Sequence, residues 1–160
     1  IAERLISYFK LDSTSSVLDV GCGKGFLMEE ISRQVPGIRI IGVDVSNYAL
    51  EEISRRGVVP AEYCDLQEGS LRFETKSFDL VICMNVLHNL PLSDLETAFS
   101  ELVRVSSKQY VCVEGYESWD QLFNLQCWAL TCRTFLSKRD WRHIAERSLF
   151  SGCFEVIYFD

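Results

Sequence analysis

Basic residues are in short supply in this sequence: 16 Lys+Arg stand against 23 Asp+Glu, a formal charge of -7. That balance opposes polyanions, so no nucleic-acid partner is expected, and a small molecule or a protein fits better. No stretch approaches the ~18 consecutive apolar residues of a membrane span, and the opening run IAERLISYFK is charged where a signal peptide would be apolar. No membrane association is expected, and the expected location is cytoplasmic. The seven cysteines form no CxxC pair, and several lie inside strand-like runs such as LVIC and YVCV. Buried free thiols in a reducing compartment are the expectation, with neither disulfides nor a metal site. Internal repeats and low-complexity segments are missing too.

What remains is an ordinary globular composition, 48% apolar and 24% charged over 160 residues, of a length that suits one domain. Opening on Ile1 and closing on Asp160 at a strand-like run, the sequence reads as a piece of a longer chain. Short runs rich in Val and Ile alternate with amphipathic runs of helical length, the pattern of parallel strands joined by helical crossovers. Strands are predicted at 16–20, 38–43, 58–63 (weakened by Pro60), 78–84 and 108–114, most of them apolar enough to be covered on both faces. Leu27, Ile31 and Val35 stripe a helix at 26–35, and a shorter helix at 46–56 ends at Gly57. Ser93 and Glu96 have the spacing of a capping box for a helix at 93–106. A long apolar helix at 118–134, with Trp119, Leu122, Leu125, Trp128 and Ala129, and a second one capped by Ser137 and Asp140 precede a last strand at 153–159. The predicted fold class is α/β, a mostly parallel sheet in the order 3-2-1-4-5 with the last strand added antiparallel beside strand five.

The chemistry concentrates in VLDVGCGKG at 17–25, where a strand ends in an acid, three glycines follow, and a helix begins. Glycine tolerates positive φ and lets a ligand lie against bare backbone. A dinucleotide fingerprint, G-x-G-x-x-G, would need its third glycine at 26, which is Phe26. Asp19, two residues before the first glycine, suits a cationic ligand better than a pyrophosphate. Asp44, at the tip of the second strand in VDVS, can accept both hydroxyls of a ribose, or can cap the following helix. Asp65 in YCDL can accept an adenine amine with Leu66 against the ring, or can simply form a turn. Asn85 and His88 follow the fourth strand, at the edge where open α/β sheets bind ligands.

VLDVGCGKG, VDVS, YCDL and FDLVICMNVLHNLP, in this order and spacing over residues 1–115, resemble the class I S-adenosylmethionine-dependent methyltransferases, in particular the small-molecule subgroup. The resemblance implies a three-layer Rossmann-like sandwich and S-adenosyl-L-methionine as cofactor. It places Asp19, Gly21, Cys22, Gly23 and Gly25 at the cofactor's amino-acid end, Asp44 and Val45 at its ribose, Asp65 and Leu66 at its adenine, and Asn85, Val86 and Leu87 on the sulfonium side. The sequence departs from the family at Asn89, where relatives often carry His, at Leu149-Phe150, where Gly usually precedes Phe, and in having one strand after the fifth where many relatives have two.

The implied division is a single domain, with 1–115 binding cofactor and 116–160 forming lid or acceptor helices and the terminal strand. The implied function is methyl transfer to an O, N or C acceptor, expected to be a small molecule, with a protein acceptor as the alternative. No catalytic residue is assigned; His88 can serve as a base or as a structural hydrogen-bonding residue. Segment 116–136 can wall the acceptor pocket with Trp119, Phe123 and Trp128, or bury that stripe in the core. Arg133, Lys138, Arg139, Arg142 and Arg147 give a locally basic face that can meet an acidic acceptor or solvent. Two other functions compete: a methyltransferase fold that binds without turnover, and an NAD-dependent oxidoreductase, which Phe26 disfavours.

Overall fold

The computed structural model describes all 160 residues. Six strands form one sheet: β1 Ser16–Val20, β2 Arg39–Asp44, β3 Ala61–Tyr63, β4 Phe78–Met84, β5 Ser106–Glu114 and β6 Cys153–Ile157. Their order is β3-β2-β1-β4-β5-β6. Helices α1 Ala2–Phe9, α2 Phe26–Gln34, α3 Asn47–Arg56, α4 Leu95–Val105, α5 Trp119–Trp128 and α6 Lys138–Arg147 complete the fold.

The central strands β1 and β4 are largely apolar because both faces are covered. Along β4, Val81 and Cys83 belong to the core under α4 and α6 with Leu95, Phe99 and Trp141. Leu80 and Ile82 belong to the core under α1, α2 and α3 with Leu5, Met28, Ile31 and Ile53. Alternation along one continuous apolar run therefore supplies two cores, and the result is three layers.

The last strand corrects the sequence expectation: β6 pairs with β5 in parallel, from Tyr110↔Cys153 to Glu114↔Ile157. α6 accounts for the direction. It carries the chain back from the C-terminal end of β5 to the end at which β5 begins, so the next strand enters pointing the same way. Gly152 allows this entry, since a Cβ there would lie 2.5 Å from the Gln109 carbonyl oxygen.

Three local readings also change. β3 begins only after Pro60, which cannot donate to a ladder. The capping box does not form: a 3₁₀ turn at Leu92–Asp94 follows Pro91 and runs into α4, and no side chain caps α4. Ser93 instead bonds the Asp94 carboxylate and Glu96 pairs with Arg147. The helix expected at 118–134 stops at Trp128, because the Arg133 and Thr134 N–H groups bond the His88 carbonyl rather than a helical one. The aromatic stripe is not core. Trp119, Phe123 and Trp128 are exposed, and only Leu125 of α5 is buried.

Ser137 does cap α6, its Oγ accepting from the Asp140 N–H at 3.2 Å. Ser137→Ala should cost about 1 kcal/mol, read as a lower urea midpoint with unchanged slope. All seven cysteines are free, with Cys22, Cys83 and Cys112 buried and Cys127 exposed. No helix is long and apolar enough to cross a membrane.

Candidate active site

The C-terminal ends of β1, β2 and β4 and the turn after β3 converge on a cleft of about 210 Å³. Of the residues singled out in the sequence, Gly21, Asp44, Val45, Asp65, Leu66, Asn85 and Val86 line it. Asp19, Cys22, Gly23, Gly25 and Leu87 do not. A larger hollow, about 580 Å³, lies between α1 and the start of β6, away from the glycine loop and without its chemistry.

Gly21 is where the loop most needs glycine. Its φ is +74, and an added Cβ would sit 2.1 Å from Val86 Cγ2. The two chain segments that wall the cleft thus touch at bare backbone. Gly25 (φ +76) heads α2 and packs on Ile53, whereas Gly23 faces open space.

Asp44 binds the loop to the tip of β2. One carboxylate oxygen accepts from the Gly23 N–H at 2.7 Å and the other from the Ser46 N–H at 2.8 Å. Ser46, not Asp44, caps α3. Asp65 caps the 3₁₀ turn Leu66–Glu68, accepting from the Gln67 N–H, so the turn-forming role is satisfied while the residue still faces the cleft. Asn85 holds a left-handed φ of 58, and its N–H reaches the Cys112 carbonyl at 2.9 Å. Such backbone strain in a non-glycine residue gathers at functional sites.

Asp19 stands behind the glycine loop at 4% exposure. Burial first, and then the charge of Asp44, pushes its carboxyl up to about 7. Leu87 is fully buried in the core under α4, where it anchors the loop after β4.

Sequence reasoning missed Val20, Val43, Cys64, Gln67 and Leu90 as lining residues, and named Asn89 only for its departure from the family. It also missed a strap. Thr131 donates to Asn89 and Arg133 to Gln67, both at 2.8 Å, so the segment after α5 ties the two sides of the cleft mouth. His88 is 5% exposed, and its Nδ1 lies against Glu114 Oε2. Glu114 could have been flagged: like Asp19 and Asp44, it is an acid near the end of an apolar strand.

Residues 17–109, more than half of the chain, match the model of the methyltransferase domain. The chain belongs to this family. It is of the class I, Rossmann-like, S-adenosylmethionine-dependent kind, which sets aside the NAD-dependent reading. Over 107 residues it is 36% identical to a malonyl-[acyl-carrier protein] O-methyltransferase of Legionella pneumophila, covering 64% of this chain and 36% of the relative. Over 110 residues it is 29% identical to the mitochondrial arginine-hydroxylase NDUFAF5 of Rattus norvegicus, covering 69% of this chain and 31% of the relative. The chain thus spans about a third of these curated relatives' length. Among solved structures, the geranyl diphosphate C-methyltransferase of Streptomyces coelicolor A3(2), in complex with Mg2+, geranyl diphosphate and S-adenosyl-L-homocysteine, shares the fold. Its TM-score is 0.71 at 20% identity, over 92% of this chain and 59% of that one.

Proposed function

We propose that this methyltransferase domain binds S-adenosylmethionine in the cleft and transfers its methyl group to a small-molecule acceptor. The lining carries that reading: Asp44 and Asp65 are its charged members, and no Lys or Arg is among them. A phosphate-bearing dinucleotide would bring negative charge to two carboxylates. A nucleoside with an ammonium and a sulfonium brings positive charge, and the buried Asp19 behind the loop calls for the same sign. Asp44 would accept from the ribose, Asp65 and Leu66 would meet the adenine, and the glycine loop would face the amino-acid end.

The bound cofactor would supply an activated methyl group on a good leaving group. The chain's own contribution is alignment, worth up to ~7–11 kcal/mol of barrier when reacting atoms are held in line. The acceptor would approach from the side of Asn85 and the turn after it, with the strap at 131–134 narrowing the mouth. The exposed aromatic face of α5 stands beside that strap, consistent with an acceptor-shaping role for 116–136.

Calorimetry with S-adenosylmethionine, S-adenosylhomocysteine and NAD tests the reading. The first two should bind and NAD should not; NAD binding alone would refute it. Labelled S-adenosylmethionine then separates turnover from binding without transfer, and from the different chemistry that the hydroxylase relative's name carries. In the same assay Asp44→Ala should weaken S-adenosylhomocysteine at least tenfold, since hydrogen bonds to a charged group are worth ~1.5–3 kcal/mol each. Unchanged affinity in a folded Asp44→Ala variant would remove the ribose assignment.

A further inference from the structure

The five basic residues between positions 133 and 147 have different surroundings. Arg147 pairs with Glu96. Lys138, Arg139 and Arg142 line an open hollow on α6 that they share with Glu117 and Glu146. Only Arg133 reaches the cleft, where its Nη1 donates to the side-chain carbonyl of Gln67 at 2.8 Å, and Gln67 belongs to the lining.

The strap that carries Arg133 is anchored at several points. The Arg133 and Thr134 N–H groups bond the His88 carbonyl at 2.9 and 3.0 Å. The Thr134 hydroxyl donates to the Leu90 carbonyl at 2.7 Å, and the Thr131 hydroxyl to Asn89 at 2.8 Å. The turn after β4 thus fixes the backbone of Arg133, and Gln67, across the mouth, fixes its head.

Arg133 is set apart by its partner. Arg4, Arg33, Arg55, Arg56, Arg72, Arg104 and Arg147 each pair with a glutamate. Arg133 meets a neutral amide instead, although Asp44 and Asp65 line the same cleft. An amide leaves the positive charge uncompensated. It also occupies Nη1 alone, so the parallel Nε–H and Nη2–H donors, whose spacing matches the two oxygens of a carboxylate, stay open on an exposed side chain. A carboxylate can therefore be received without breaking the bond that holds the guanidinium in place.

Resting on the methyl-transfer reading, we propose that Arg133 is a specificity-determining residue and that the acceptor is a small molecule bearing a carboxylate, which this guanidinium holds at the mouth while another atom of the acceptor reaches the methyl group. The cleft is then divided by sign. Its carboxylates serve the cationic cofactor, and the guanidinium at the rim serves the acceptor. One guanidinium balances a monoanion, whereas a phosphate dianion would bring a second negative charge toward Asp44 and Asp65. Gln67 is a positioning residue that aims the guanidinium.

Benzoate, benzamide and inorganic phosphate are the probes, each titrated into protein saturated with S-adenosylhomocysteine, and the nitrogen-15 resonance of the Arg133 Nε–H group is the readout. Arg133→Lys identifies that resonance by its loss. Benzoate should move it saturably, benzamide should leave it in place, and phosphate should bind more weakly than benzoate. Arg133→Gln should abolish the saturable response of the Gln67 amide to benzoate while S-adenosylhomocysteine affinity stays within threefold. Arg133→Lys should weaken benzoate about tenfold, because an ammonium cannot pair with both oxygens in one plane. Gln67→Leu, which keeps the guanidinium but frees it, should weaken benzoate by a smaller factor. A resonance indifferent to benzoate, an equal response to benzamide, phosphate binding as tightly as benzoate, or a benzoate response that survives in Arg133→Gln would each overturn the proposal. A large fall in S-adenosylhomocysteine affinity in Arg133→Gln would overturn it too, by assigning the guanidinium to the adenine beside Leu66. Failure of the parent protein to bind S-adenosylhomocysteine at all would instead remove the methyl-transfer reading beneath it.

Discussion

Replacing Asp19 by Asn should make the ligand-free protein more stable above neutral pH while weakening its hold on S-adenosylmethionine. The carboxyl is raised from 3.8 to about 7, by burial first and the charge of Asp44 second. A raised acid means that the folded state binds the proton more tightly than the unfolded chain, so stability falls as pH rises between those two values. At ~1.4 kcal/mol per unit, the parent loses about 2 kcal/mol by pH 5 and about 4 kcal/mol above pH 7. Asn carries no charge and escapes the loss. The stability difference between Asp19→Asn and parent, from urea unfolding, should therefore grow across that window and then level off. Cofactor affinity should move the other way, because a cationic ligand is what the buried charge awaits. Near pH 6 the parent should release a proton on binding S-adenosylmethionine, read from calorimetry in buffers of different ionisation enthalpy; the variant should release none. A stability difference that stays flat from pH 4 to pH 8 would show that Asp19 is not the titrating group.

Gly21→Ala should reduce S-adenosylhomocysteine affinity at least 100-fold. A left-handed backbone costs an alanine ~1–2 kcal/mol, and φ here is +74. The new methyl would also collide with Val86 Cγ2 at 2.1 Å, and backbone and side chain in both walls of the cleft would have to separate. Adding Val86→Ala removes the colliding methyl but not the backbone strain, so the double variant should regain part of the affinity and not all of it. Measured as a double-mutant cycle, the coupling should be favourable and exceed 0.5 kcal/mol, the size expected for residues in contact. Parent-like binding by Gly21→Ala would mean that the loop does not approach the ligand at this point.

The central architecture and most of the cleft were legible in the sequence because their signals are local. An apolar run ending in an acid marks a strand tip, and three glycines after Asp19 mark a turn, whatever the rest of the chain does. The direction of β6 was not local. CFEVIYF reads the same parallel or antiparallel, and only the course of α6 from one end of the strands to the other decides. The early end of α5 depended on a carbonyl 45 residues away, that of His88, competing for the Arg133 N–H. Ser93 and Glu96 had the right spacing for a capping box, but Pro91 set a tighter turn that carried Ser93 past the capping position. The His88–Glu114 pair joins residues 26 apart in the chain, a contact that no periodicity encodes.

β1 pairs on one side with β2 and on the other with β4, and these two pairings demand very different searches. Joining Val17 to Ile40 needs one short helical crossover, while joining Val17 to Leu80 encloses a much longer loop. Long-range pairing slows folding more than local pairing does. The half bearing the glycine loop and Asp44 should therefore assemble early and the wall bearing Asn85 and Val86 late. Refolding kinetics should show this order: substitutions within β1, α2 and β2 should slow the main folding phase, and those in the turn after β4 should mainly speed unfolding.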